Sequence, residues 1–93
     1  MTDLLETLVV TDIFEPHLYR GVHFPMWTLY DHPSDLPDHF VLRLWDGATA
    51  RATPFVYLSS TIEEIEKMIE NDGRFVKLSR YEADDHKIIA AYI

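Results

Sequence analysis

Nine consecutive residues, Asp31-His32-Pro33-Ser34-Asp35-Leu36-Pro37-Asp38-His39, hold three Asp, two His and two Pro. Imidazole and carboxylate are ligand types for zinc or manganese. Together they can also move protons in general acid–base catalysis. His32 and His39 with Asp31, Asp35 and Asp38 therefore carry a metal-binding or hydrolytic reading of this chain. Their spacing matches no standard zinc motif. Asp31–His32 and Asp38–His39 are sequence neighbours, and on extended backbone adjacent side chains point apart, which makes poor catalytic pairs. The other reading is structural. Proline fixes φ and restricts the residue before it, and Asp and Ser close turns on their own backbone. The segment is read first as a stiff, ordered loop that binds no metal.

Other catalytic chemistry finds little support. The chain has no cysteine, so disulfides, Cys-ligated zinc and thiol catalysis are excluded. It has no G-x-S-x-G, no P-loop and no G-x-G-x-x-G. His17 and His23 read as ordinary surface or half-buried histidines. The expectation is a non-enzymatic protein without a cofactor.

The second group of chemistry-bearing residues is acidic. Residues 63–72 hold Glu63, Glu64, Glu66, Glu70 and Asp72 against the single base Lys67. Glu70 and Asp72 would sit at the negative end of a helix macrodipole, which costs roughly a few tenths of a kcal/mol. Such a face can meet a basic surface on a partner. Glu63, Glu64, Glu66, Glu70 and Asp72 are the first candidates for that contact, and Asp31, Asp35 and Asp38 the second. The alternative is a solvated face that keeps a small protein soluble. Trp27, Tyr30, Trp45, Tyr57, Tyr81 and Tyr92 read mainly as core residues of a small domain, though an exposed subset could anchor a partner.

The elements that must position these groups follow from periodicity. A helix is expected at about 61–72. Ile62, Ile65, Met68 and Ile69 form one stripe, Ser60 and Glu63 form a capping box, and Gly73 supplies the left-handed stop. Strands are expected at Pro25–Tyr30, Phe40–Trp45, Thr53–Leu58, Arg74–Arg80 and Lys87–Ile93. Leu4–Phe14 carries both helical and strand signals, and Leu8–Phe14 is assigned as strand. The fold class is then α+β: a single domain over 1–93, an antiparallel sheet of four or more strands, and one helix on one face.

Composition agrees with one soluble globular domain. Of the 93 residues, 47% are apolar, and sixteen Asp and Glu oppose eight Lys and Arg for a formal charge of -8. A net anion has no general electrostatic reason to approach phosphate, so no direct nucleic-acid contact is expected. The longest stretch free of Asp, Glu, Lys, Arg and His is Ala52–Ile62, too short to span a bilayer. No secretory signal is expected at the N-terminus. Charge is uneven: residues 1–40 carry seven acids and one base, whereas 73–80 carry Arg74, Lys77 and Arg80 and no acid.

The run Tyr30-Asp31-His32-Pro33-Ser34-Asp35-Leu36-Pro37-Asp38-His39-Phe40-Val41-Leu42-Arg43 resembles the opening of a group of small bacteriophage and prophage proteins. Their pattern is Y-D-H-P-x-D-[YF]-P-D-x-F-V-x-R. Leu36 stands where that group usually has an aromatic residue. The end, Asp84-Asp85-His86-Lys87-Ile88-Ile89-Ala90-Ala91-Tyr92-Ile93, is similar too, with His86 where the group tends to have Pro. The resemblance covers Leu29–Ile93 and leaves 1–25 outside it. It implies a mobile-element origin and a cytoplasmic setting in a bacterial host, and it implies no chemistry.

The expected function combines these readings. A small acidic phage-type protein would bind a host protein, or a protein–nucleic-acid complex with a basic surface, and inhibit it in the manner of anti-CRISPR proteins. The alternatives are the small metal-binding or hydrolytic enzyme built on His32 and His39, and a phage component that self-associates through a strand edge.

Overall fold

Leu42 and Leu44 point to one side of their strand, and Val41 and Arg43 to the other, yet all four are buried. The strand is therefore central in its sheet and covered on both faces. The computed structural model describes residues 7–79 and 87–93. Leu4, Leu5, Arg80, Tyr81 and the Asp84-Asp85-His86 run lie outside the described residues. The elements are β1 (Leu8–Val9), a 3-10 turn (Pro16–Tyr19), β2 (Pro25–Asp31), β3 (Phe40–Asp46), β4 (Arg51–Ser59), α1 (Ile62–Asp72), β5 (Lys77–Ser79) and β6 (Ile88–Tyr92).

The six strands form one sheet in the order β1-β4-β3-β2-β6-β5. Every neighbouring pair is antiparallel except β1 with β4, which is parallel and pairs Leu8 with Phe55 and Val9 with Val56. The α+β class holds, and the sheet is mixed rather than wholly antiparallel. β4 and β5 run in the same direction at different places in the sheet, so α1 is the crossover between them.

One face of the sheet carries the main core. Trp27, Leu29, Leu42, Leu44, Ala90 and Tyr92 pack with Ile65 and Ile69 of α1 and with Ile13 and Leu18 of the N-terminal segment. Ile62 and Met68 extend the helical stripe as half-buried flanks. Fully burying an aliphatic side chain contributes about 1.5–3 kcal/mol, so Ile65 and Ile69 anchor this crossover. Gly73, at φ 74°, ends the helix in the left-handed region, and its N–H donates to Ile69 O at 3.2 Å.

Three local expectations are corrected. The helix N-cap is Thr61, not Ser60: Thr61 Oγ1 accepts from Glu64 N–H at 3.4 Å. Both hydroxyl residues have a glutamate three positions on, and it is Thr61, in an extended conformation, whose side chain turns onto the helix. The N-terminal strand shrinks to Leu8–Val9. Asp12 Oδ1 accepts from Phe14 N–H at 2.9 Å, an Asx turn that ends extended backbone, and Pro16 then opens the 3-10 turn. The strand expected over Arg74–Arg80 is Lys77–Ser79. Val76 nonetheless exchanges two backbone hydrogen bonds with Ile93, at 2.7 and 3.0 Å.

Candidate functional site

The five helical acids separate into two groups. Glu64 turns toward the sheet: Tyr57 OH donates to its Oε1 at 3.2 Å, and Ser59 Oγ lies against its Oε2. Ser59 Oγ also accepts from Thr61 N–H at 3.1 Å, so this carboxylate belongs to the start of the helix. Burial, then the charge and hydrogen bond of Glu64, push the Tyr57 phenol above its ordinary pKa. Asp72 pairs with Arg74 Nε just past the helix end. That contact raises the Arg74 pKa further, and the guanidinium also lies 4.7 Å from the centroid of the Phe14 ring. The unfavourable acid at the helix C-terminus is thereby offset by a local cation.

Glu63, Glu66 and Glu70 remain. At 100° per residue Glu66, Glu70 and Glu63 span about 60° of the helix, from the flank next to Ile69 round toward the solvent side beside Lys67. Glu63 and Glu70 are exposed, Glu66 is half-buried, and none has an ion-pair partner among the described residues. At the inner flank of this face lies a cleft of about 270 Å³ lined by Glu66, Glu70, Phe75, Lys77 and Tyr92. Tyr92 is 3% exposed, and its hydroxyl has no hydrogen-bond partner among the described residues. Burial, followed by the charges of Glu66 and Glu70, raises its pKa.

The Asp- and His-rich loop divides likewise. Asp31 Oδ1 pairs with His32 Nδ1, and the His32 ring packs edge-on to Phe40 with centroids 4.7 Å apart. His32 has φ 46°, a left-handed conformation held just before Pro33. Leu36 N–H donates to Pro33 O at 3.0 Å, and His39 N–H to Leu36 O at 3.4 Å, so successive turns build the loop. Asp35 turns back to Arg43 Nη2 at 3.4 Å. Asp38 is exposed. The structure does not gather His32, His39 and the three aspartates: among the described residues no three His, Asp or Glu side chains converge to hold a metal.

Two polar residues that hold the strand ends and turns together escaped the sequence reading. Asp46, at the end of β3, accepts from the N–H groups of His23 (3.2 Å), Phe24 (3.1 Å) and Ala48 (3.0 Å). Burial would raise its pKa, but these three donors outweigh burial and hold the carboxyl below the usual value. It ties the segment before β2 to the β3–β4 turn. Arg43, in the middle of β3, is the other. Its side chain is 9% exposed, and Nη1 donates to Thr53 O at 2.9 Å. The signal for Asp46 was its place before Gly47 at a strand end. A charged residue inside the Phe40–Trp45 run was the signal for Arg43.

No helix among the described residues is long and apolar enough to cross a membrane. No known family model, curated protein or solved structure matches this chain.

Proposed function

We propose that this is a non-enzymatic binding protein whose α1 face docks on a basic surface of a host protein. The observation that carries this reading is the division of the acids. Glu64, Asp72 and Asp35 have partners within the fold, whereas Glu63, Glu66 and Glu70 present one acidic face with no ion-pair partner among the described residues. Charges that the fold does not use are available to a partner, and complementary charge accelerates encounter. In its concrete form the partner is a bacterial host complex whose basic channel normally holds nucleic acid. The protein then acts as an inhibitor in the cytoplasm, in the manner of anti-CRISPR proteins. The phage-like motif supplies that setting, and the acidic face supplies the physics.

The experiment is a pull-down from bacterial lysate, followed by association kinetics with the captured partner. The Glu63→Lys, Glu66→Lys, Glu70→Lys triple variant should slow association tenfold or more with its circular dichroism unchanged. Salt raised from about 0.05 to 0.5 M should have a similar effect, since the Debye length falls from above about 10 Å to under about 5 Å. Glu64→Gln should leave the on-rate alone. Unchanged association by a folded triple variant would return the face to a purely solvating role.

A further inference from the structure

The segment before β2 and the β3–β4 turn share an open cleft of about 460 Å³. Its size is in the range of small-molecule sites. Arg20, His23, Thr49 and Arg51 line it with polar groups, and all four residues are exposed. Val22, Pro54 and Phe55 add half-buried apolar surface. Arg20 follows the 3-10 turn, and Gly21 comes after it in left-handed backbone at φ 74°. Arg51 opens β4 directly after Ala50, which has φ 55°. Left-handed backbone is unfavourable for a residue with a Cβ, so the turn that delivers Arg51 holds strain.

These two arginines differ from most of the described bases. Arg43 is paired with Asp35, and Arg74 with Asp72. Lys67 lies on the acidic helix, and Lys77 shares a cleft with Glu66 and Glu70. Arg20 and Arg51 have no ion-pair partner among the described residues. The one carboxylate in the described lining is Asp46. It is buried, and its oxygens already accept from the N–H groups of His23, Phe24 and Ala48. The cleft is therefore a local surplus of positive charge on a chain of formal charge -8. Guanidinium groups only donate, so this surplus lacks an anionic acceptor.

We propose that this cleft binds a small phosphomonoester with a flat apolar body. The phosphate oxygens accept from Arg20 and Arg51, while the body lies along Pro54 and Phe55. Thr49 and His23 add a hydroxyl and an imidazole beside the phosphate. Two guanidinium forks suit a phosphate better than a carboxylate, because a phosphomonoester offers three oxygens and up to two charges. This site is separate from the acidic face of α1 and does not depend on it.

Phenyl phosphate is the probe, titrated into the ¹⁵N-labelled full chain. The backbone amide signals of Gly21 and Thr49 are the readout, and Gly73, at the end of α1, is the control. Phenyl phosphate should move the first two saturably, with a Kd on the order of 1 mM, and leave Gly73 in place. Benzoate, with one charge and two oxygens, should bind about fivefold more weakly. Phenol should move nothing, because it carries no anionic acceptor. Arg20→Gln and Arg51→Gln should each weaken phenyl phosphate binding about tenfold or more. Lys67→Gln removes the same charge from the helix and should leave the affinity unchanged. All three positions are exposed, so each variant should keep the fold. Signals unmoved by about 20 mM phenyl phosphate would overturn the proposal. So would a loss on Lys67→Gln equal to that on Arg51→Gln, which would leave only general attraction between charges. Benzoate binding as tightly as phenyl phosphate would overturn the choice of a phosphomonoester.

Discussion

Arg43 and Thr53 are joined across a break in the sheet: Nη1 of the guanidinium donates to the Thr53 carbonyl at 2.9 Å. The break arises at Pro54, which has no N–H for the β3–β4 ladder. Register shifts between Arg43 and Trp45, so Arg43 faces Val56 and Trp45 faces Ala52. Thr53 repairs the other side of the gap, its hydroxyl donating to Leu44 O at 2.8 Å. One arginine and one threonine thus replace the backbone bonds that a proline removes.

Arg43→Met should destabilise the fold by about 1–3 kcal/mol, because the half-buried Thr53 carbonyl loses its donor. Arg43→Lys should cost less, since the ammonium can still donate. Urea unfolding of the two variants gives the order. Equal stability of Arg43→Met and the parent chain would show that the bulge needs no repair.

Asp46 sets part of the acid limb of stability. Its folded pKa is depressed, chiefly by three backbone donors acting against burial. The unfolded carboxyl titrates near about 3.9. Above that value the contribution is fully present, and it is lost as pH falls from there through the lower folded pKa. Stability against urea should therefore drop on acidification through this window. Asp46→Asn should flatten that drop while lowering stability at neutral pH. An acid limb that is identical in parent and variant would assign the pH dependence to other carboxylates.

The helix cap is tested by two neighbouring hydroxyls. Thr61→Ala should cost about 0.5–2 kcal/mol, the range for losing an N-cap. Ser60 is exposed, so Ser60→Ala should fall within about ±0.5 kcal/mol. Thermal melts of both variants decide which hydroxyl starts α1.

The helical stripe should show graded sensitivity. Ile65→Ala, at a fully buried site, should cost about 2–5 kcal/mol. Met68→Ala should cost less, because Met68 is only half-buried and sits at the edge of the core. Chemical denaturation of each variant measures the difference, and an inverted order would mean that the helix is rotated about its axis.

Periodicity revealed α1 and β3, and runs of apolar and aromatic residues revealed β2 and β4. Ile65 and Ile69 could be placed on the core face from spacing alone. Alternation along Phe40–Trp45 gave the two sides of β3, but not that both are covered. That depends on which segments fold over the second face, so the burial of Arg43 was hidden. The fate of each helical acid was hidden for a similar reason. Glu64 is bound by Ser59 and Tyr57, and Asp72 by Arg74, all outside the helix and brought close only by the β4–α1 and α1–β5 junctions. The parallel pairing of β1 with β4 joins residues more than forty positions apart, and no local pattern signals it.

The place of β6 between β2 and β5 sets an order of assembly. β5 precedes β6 in the chain, yet among the described residues its strand partner is β6 alone. During synthesis β2, β3 and β4 can zip together as each emerges, because β3 neighbours β2 and β4 neighbours β3. α1 can then settle over them, but β5 has nowhere to bond until β6 is also made. When β6 arrives it closes against β2 on one side and β5 on the other, in a single late step that joins Trp27 and Lys77 to the same residue, Tyr92. Such non-local closure is slow compared with the hairpins that precede it. The edge of β2 is the template left open in the interval, and any extended chain that reaches it first competes for the seat of β6.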